Sequence, residues 1–282
     1  MKEKTWTSVI KPKKSLFAIS LKELFASKDL LFLFVKRDFI SVYKQTILGP
    51  LWFFIEPALT TVVFTIVFSS IAGISTDGIP GPLFYLAGLT LWNYFSDSFK
   101  KTSNTFIENQ HIFGKVYFPR LITPLSIVIS SLIKFGIQFL LFIGVYVYYY
   151  SFGDTNLQMN SGLILIPYLI LLTGLFGLGL GMIISSLTTK YRDLRFLIQF
   201  GIQLWMYATP IIYPYNSIEG NLKLVVGLNP VTSIIETFKF AFFGTGHFSW
   251  IDLTYSTSVI IIILFLGTLI FNKTEQNFMD TV

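Results

Sequence analysis

Few of these 282 residues are of types that make or break bonds, and their spacing argues for other work. There is no cysteine, which excludes disulfides, thiolate metal sites and thiol nucleophiles. The two histidines, His111 and His247, sit in polar segments that the topology derived below puts on opposite sides of a membrane. They can therefore share neither a metal ion nor a proton relay, and interfacial solvation accounts for each. A serine–histidine–acid arrangement fails for the same reason, because no base lies near a poised serine. Gly114-Lys115 is followed by Val116 and lacks the upstream glycine of a nucleotide-binding phosphate loop. Asp-x-Asp is absent, which argues against a sugar-nucleotide transferase. No catalytic residue, no metal site and no cofactor held by this chain are expected.

Three other sets of residues have chemical potential. Glu56 and Lys134 are ionisable groups inside apolar runs, where a charge costs about 2.5–3.5 kcal/mol at mid-helix, so they are expected to pair with each other or to line a wet surface. Both fall nearer the cytoplasmic half, shallow for an ion-coupling carboxylate. Gly174, Gly177, Gly179 and Gly181 superficially suggest a dinucleotide fingerprint, but within an apolar run they predict close helix packing, with Gly177 and Gly181 one turn apart. The 30 Phe, 14 Tyr and 5 Trp supply flat apolar faces. Tyr85, Trp92, Tyr94, Trp205 and Tyr207 fall in apolar runs, where such faces serve either as lipid-facing bulk or as a surface for the C–H faces of sugars.

The elements that must position these groups follow from composition. The chain is 53% apolar and 13% charged, against about a quarter charged in soluble domains, and its mean hydropathy is +0.66. It reads as an all-α polytopic membrane protein. The net charge of +6 does not point to nucleic acid, because the basic residues lie between apolar runs. Residues 1–50 form a basic cytoplasmic tail that ends in an amphipathic interface helix over Ser20–Tyr43, with Leu24, Leu31, Val35, Phe39 and Val42 on one face. Gly49-Pro50 then turns the chain into a first span, with Trp52 at headgroup level.

Six spans are expected within 51–271, over about 51–72, 82–99, 121–150, 162–187, 196–213 and 254–271. The third is too long for a ~30 Å core and must tilt or protrude. Residues 214–252 hold two apolar pieces, Leu222–Leu228 and Val231–Phe243, split by Asn229-Pro230 and each too short to cross; they read as a re-entrant or interfacial helical hairpin between spans five and six. Residues 272–282 form a cytoplasmic tail. Of the 21 Lys and Arg, ten lie in the N-terminal tail, four between spans two and three, three between spans four and five and one at the C-terminus, which puts both termini in the cytoplasm. Lys223 and Lys239 fall on the far side. No secretory signal is expected, since the early apolar run Leu30–Val35 is too short for one.

Four stretches in order resemble the ABC-2 type membrane subunits of ABC exporters, especially those that export polysaccharides: Arg37-Asp38 with YKQTILGPLWFFIEP, NQHIFGKVYFPRLITPL at Asn109–Leu125, YRDLRFLIQFGIQLWMYATPIIYP at Tyr191–Pro214, and LNPVTSIIETFKFAFFG at Leu228–Gly244. The ending FNKTEQNFMDTV is also similar. The sequence departs from the family pattern at Glu56, where a neutral residue is expected, and at Phe113-Gly114. The resemblance implies a homodimer in the cytoplasmic (inner) membrane, bound to two copies of a separate ATPase that carries the ATP and magnesium. The cargo it implies is a lipid-linked polysaccharide of O-antigen, capsule or teichoic-acid type; a drug, lipid or haem-like cargo on the same fold is the alternative. It implies that the ATPase stroke is received by Arg37 and Asp38, by Thr105, Phe106, Ile107, Asn109, His111 and Phe113, and by Tyr191, Arg192 and Asp193. Spans one and five would line the conduit, with Glu56, Trp92, Tyr94, Trp205, Tyr207, Pro210 and Tyr213 as lining or cargo-contacting residues. The 214–252 hairpin would cap or gate the exit.

Overall fold

The computed structural model describes residues 21–44, 46–116, 118–153 and 157–281; the lysine-rich tail, up to and including Ser20 of the expected interface helix, lies outside the described residues. Every regular element among the described residues is a helix. The expected interface helix is interrupted at Ser27, giving α1 (Leu21–Ala26) and α2 (Lys28–Tyr43). Among the described side chains of α2, Phe34 and Val35 are buried, and Phe34 meets Phe118 edge-on at 5.6 Å. Phe34, absent from the expected apolar stripe, thus becomes its anchor, because α2 packs against the helix over Ile122–Phe152.

The run α3 (Gly49–Ile71) starts at Gly49, whose φ of 51° only glycine adopts without strain, and Pro50 follows in the first turn where its missing N–H goes unnoticed. Pro57 sits within it, the hydroxyls of Thr60 and Thr61 donate to the carbonyls of Glu56 and Pro57, and its last turns (Thr65–Ile71) widen to π geometry. There follow α4 (Gly81–Ser103), two single turns α5 (Thr105–Glu108) and α6 (Gln110–Phe113), α7 (Ile122–Phe152), α8 (Ser161–Thr188), α9 (Leu194–Tyr207), α10 (Gly220–Gly227), α11 (Pro230–Phe243) and α12 (Trp250–Thr281).

Among the described residues, four helices are long and apolar enough to cross a membrane: α3, α7, α8 and α12 over Trp250–Gln276. The chain is a multi-pass membrane protein. With 23 residues α4 has the length but not the hydropathy, since it carries Asn93, Ser96, Asp97 and Ser98. The reason is its position: it is buried almost throughout, with Leu83–Trp92 unbroken in the core, so its polar groups meet protein instead of lipid. At 14 residues α9 is about 21 Å long, and the chain continues beyond it as turns through Tyr213.

Glycine sets the central packing. Gly174, Gly177 and Gly181 share the face of α8 that meets α4: a Cβ at Gly177 would lie 2.8 Å from the Ser98 Cβ, and Cβ atoms at Gly174 and Gly181 would overlap the Tyr94 hydroxyl and Thr102. Gly179 is on another face, where an added Cβ would come 2.9 Å from the Leu264 backbone of α12. Three helices therefore approach nearly backbone to backbone, as the spacing predicted.

In α11 every residue but Phe240 is buried. Its ends are satisfied by side chains, as a helix terminus away from water requires. The Asn229 side chain accepts from the Val231 N–H, Asn160 Nδ2 donates to the Phe240 carbonyl at 2.8 Å, and the Tyr146 hydroxyl donates to the Phe242 carbonyl at 2.9 Å. Gly244, at φ 73°, then turns the chain out. By contrast α10 has no buried residue.

Candidate functional site

At the end of the molecule where α4 stops, α2, α5, α6 and α7 enclose a cleft of about 410 Å³, with Arg37, Asp38, Lys101, Glu108, Asn109 and His111 on its walls. Arg37 donates through Nε and Nη2 to Asp38 Oδ1 at 2.9 and 2.7 Å, and its guanidinium lies 4.6 Å from the Phe34 ring centre. Burial raises the Glu108 carboxyl above its ordinary range, and the nearby Arg195, Lys101 and Arg37 pull it back. The short helices are pinned from beneath. The Phe106 N–H donates to Ser185 Oγ at 3.4 Å, Thr188 Oγ1 donates to the Ser103 carbonyl at 3.0 Å, and Asn109 Nδ2 donates to the Thr105 carbonyl at 3.0 Å. The α5–α6 turn and the α8 terminus thus form one unit.

This pinning corrects an expectation about the surface of that loop. Phe106 is fully buried, stacked on Phe271 at 4.6 Å and edge-on to Phe113 at 5.9 Å; Thr105, Asn109 and Phe113 are buried too. These four cannot themselves be touched by a docked partner. The outer surface comprises Glu108, His111 and the α8–α9 turn, where Tyr191, Arg192 and Asp193 are exposed, with Ile107 half-buried at its edge. The aromatic–polar alternation of residues 105–113 reads equally well as an exposed docking stripe; only the contact with α12 shows which residues face inward.

Glu56 and Lys134 do meet, at 3.4 Å, but Lys134 makes its shorter contact with Asp97, at 2.9 Å. Asn93 and Asp97, four apart on α4, face Gln138 and Lys134, four apart on α7, and Asn93 Nδ2 donates to Gln138 Oε1 at 3.4 Å. Asp97 was missed in the sequence although the signal was there: two polar residues at helical spacing in one apolar run answer two in another. Lys134 and Asp97 are shielded, whereas the Glu56 side chain is 62% exposed.

The aromatic candidates divide. Trp92 and Tyr94 are buried, Trp92 6.3 Å from Trp205 and Tyr94 5.3 Å from Phe135, so both work in packing within the subunit. Tyr85 is buried against Phe64 and Phe84. Trp205 is half-buried between Phe95 and Phe176. Tyr207 is exposed, and the Tyr213 hydroxyl donates to its carbonyl at 3.1 Å. Pro210 is buried, and its carbonyl accepts from Lys239 Nζ at 2.7 Å.

That contact belongs to a network beyond the end of α9. Lys239, counted from the sequence among the cations on the far side, is buried, paired with Glu236 at 3.2 Å and 3.8 Å from the centre of the Phe84 ring. Glu236 Oε2 also accepts from the His247 N–H, and the His247 ring meets Asp252 at 3.1 Å and Tyr215 at 5.3 Å between centroids. Burial, with Asp252 and Glu236 nearby, raises the Tyr215 hydroxyl above its ordinary value. The network ties the turn after α9, α11 and the start of α12 together.

Comparison with known proteins bears on this arrangement. The ABC-2 type transporter family matches residues 29–243. The O-antigen export system permease protein RfbA of Klebsiella pneumoniae is 31% identical over 255 residues, covering 89% of this chain and 94% of that protein. The protein of the same name from Myxococcus xanthus is 26% identical over 265 residues, covering 93% and 98%. The polysialic acid transport protein KpsM of Escherichia coli is 21% identical over 245 residues, covering 85% and 91%.

Proposed function

Because this chain belongs to the ABC-2 type transporter family, we propose that it is the permease subunit of an ATP-driven exporter that moves a lipid-linked polysaccharide of O-antigen type outward across the cytoplasmic membrane. The observation that carries this reading is the similarity, over about nine-tenths of the chain, to the O-antigen export permeases of Klebsiella pneumoniae and Myxococcus xanthus. The chain supplies the conduit, and ATP with magnesium binds a separate ATPase, two copies of which serve a homodimer.

In this reading α4 and α9, extended by the turns to Tyr213, join the four apolar helices to make six spans with both termini in the cytoplasm. The burial of α4 supports this, because a shielded span need not be apolar. The pair α10–α11 is the re-entrant hairpin, supported by the side-chain satisfaction of both ends of α11. Exposed Phe25, Phe32 and Leu33 beside Lys28 and Lys36 support a membrane-surface position for α1 and α2. The ATPase docks on Glu108, His111, Tyr191, Arg192 and Asp193, and its stroke reaches the bilayer because the loops bearing these residues are bonded to each other and rest on the Phe106–Phe271 stack. The exposed faces of α3, with Glu56, and of α9, with Tyr207, line the conduit.

The test is depletion of the chain in its native cell, followed by assay of the glycan on both sides of the membrane. Lipid-linked glycan should accumulate inside and surface glycan should vanish. Unchanged surface glycan, or ATP turnover by the purified chain alone, would sink the proposal.

A further inference from the structure

The two loops that the reading above gives to the ATPase are unequal in charge. Residues 100–116 and 188–195 carry six cations, Lys100, Lys101, Lys115, Lys190, Arg192 and Arg195, and two carboxylates, Glu108 and Asp193. Lys101, Lys190 and Arg192 are exposed, as are Glu108, His111 and Asp193. The loops form one surface. Thr188 Oγ1 donates to the Ser103 carbonyl at 3.0 Å, the Phe106 N–H donates to Ser185 Oγ, and Glu108 lies close enough to Arg195 and Lys101 for both to draw on its carboxyl. Among the described residues, none of these exposed charges is closed off in an ion pair with a neighbour. Across the cleft, Arg37 and Asp38 of α2 cancel each other at 2.7 Å. The excess of positive charge therefore belongs to the two loops and faces outward.

A surplus of cations marks any cytoplasmic loop, so the sum alone assigns no partner. Shape and pattern do. A lipid surface is flat and of one sign, whereas this face is hollowed by the cleft of about 410 Å³ and sets two carboxylates among its cations. Charges of both signs fix the register of a folded partner, and the excess of one sign steers it in. The Phe106–Phe271 stack beneath holds the loops where a partner can meet them. We propose that the ATPase meets these loops through an acidic surface, led in by Lys101, Lys190, Arg192 and Arg195, while Glu108 and Asp193 oppose the attraction and set the register. This rests on the reading above that the ATPase docks here.

The test is the affinity of the full chain, held in discs of uncharged phosphatidylcholine, for its cognate ATPase. Raising potassium chloride from about 50 to about 500 mM should weaken association about 10-fold. Lys190→Glu with Arg192→Glu should weaken it about 10-fold or more at the lower salt, whereas Asp193→Asn should tighten it about 2-fold. The opposite signs, tighter binding by the double variant or weaker binding by Asp193→Asn, mean a basic partner and overturn this proposal alone. Association that salt does not weaken, although the double variant abolishes it, also overturns this proposal alone. Association that none of these changes moves leaves the cations to the membrane surface and overturns the docking reading with it. Should the double variant fail to fold, the salt series on the native chain and the sign of the Asp193→Asn effect still decide.

Discussion

α8 and α9 follow one another in the chain yet make opposite use of their surfaces. α8 presents glycine to helices on two sides and buries its middle, from Leu172 to Thr173, Gly174 and on through Phe176–Gly179. α9 buries Ile198 and Ile202 and leaves aromatic rings and two amides exposed. The first is a scaffold whose backbone atoms touch its neighbours; the second keeps its side chains for something outside the subunit. α3 resembles α9, with Leu59, Val62, Val63 and Ile66 all more than half exposed and Glu56 among them. A membrane protein built this way can let its outer helices change partners while the α4–α8–α12 core holds still, because close-packed interiors resist deformation and loosely covered faces do not.

The sharpest way to break that comparison is at the base of the scaffold. Phe106→Asp removes a ring stacked on Phe271 and buries a charge, so a loss of about 3–5 kcal/mol or more is expected, read as failure to recover folded protein in detergent. His111→Glu, on the outer surface, should instead leave thermal stability within about 0.5 kcal/mol while uncoupling ATP hydrolysis from export. If both variants behave alike, the division of that loop into an inner and an outer face is wrong.

Next in size is Lys134→Ala, which leaves Asp97 shielded without its cation and should cost about 3 kcal/mol. The double variant Lys134→Ala with Asp97→Ala should recover most of that in the melting temperature; no recovery would mean that the pair does not act as a unit.

The finest contrast uses one methyl group in two places. Gly177→Ala drives a Cβ to 2.8 Å from the Ser98 Cβ and should destabilise by about 1–3 kcal/mol. Gly201→Ala in α9 meets nothing within 4 Å and should be neutral or stabilising by up to about 1 kcal/mol. Equal melting temperatures for the two variants would erase the distinction between scaffold and wall.

Much of the architecture was legible in the chain. The glycine spacing at Gly177 and Gly181 anticipated a close crossing, and Gly49-Pro50 marked where α3 begins. The sites were harder. Glu56 and Lys134 stand out because an ion in an apolar run is anomalous by itself, while Asp97 hides in a helix whose polarity makes sense only once its burial is known. The buried role of Lys239 was not legible because the Pro210 carbonyl reaches it only through the fold of α11 against the turn after α9.

What the sequence alone determined is therefore the class of the molecule: helical, membrane-crossing, and similar over most of its length to polysaccharide-export permeases. The helical, membrane-crossing character follows from transfer free energy and local periodicity, which are properties of contiguous residues, and the similarity from stretches of matching residues. Only the tertiary structure decided which side of each helix is spoken for. Phe106 turned inward because Phe271 came to lie beneath it, and Gln199 and Gln203 stayed outside because Ile198 and Ile202 were the residues that α4 and α8 could bury. Burial is a contract between segments far apart in the chain, and no single stretch carries its terms.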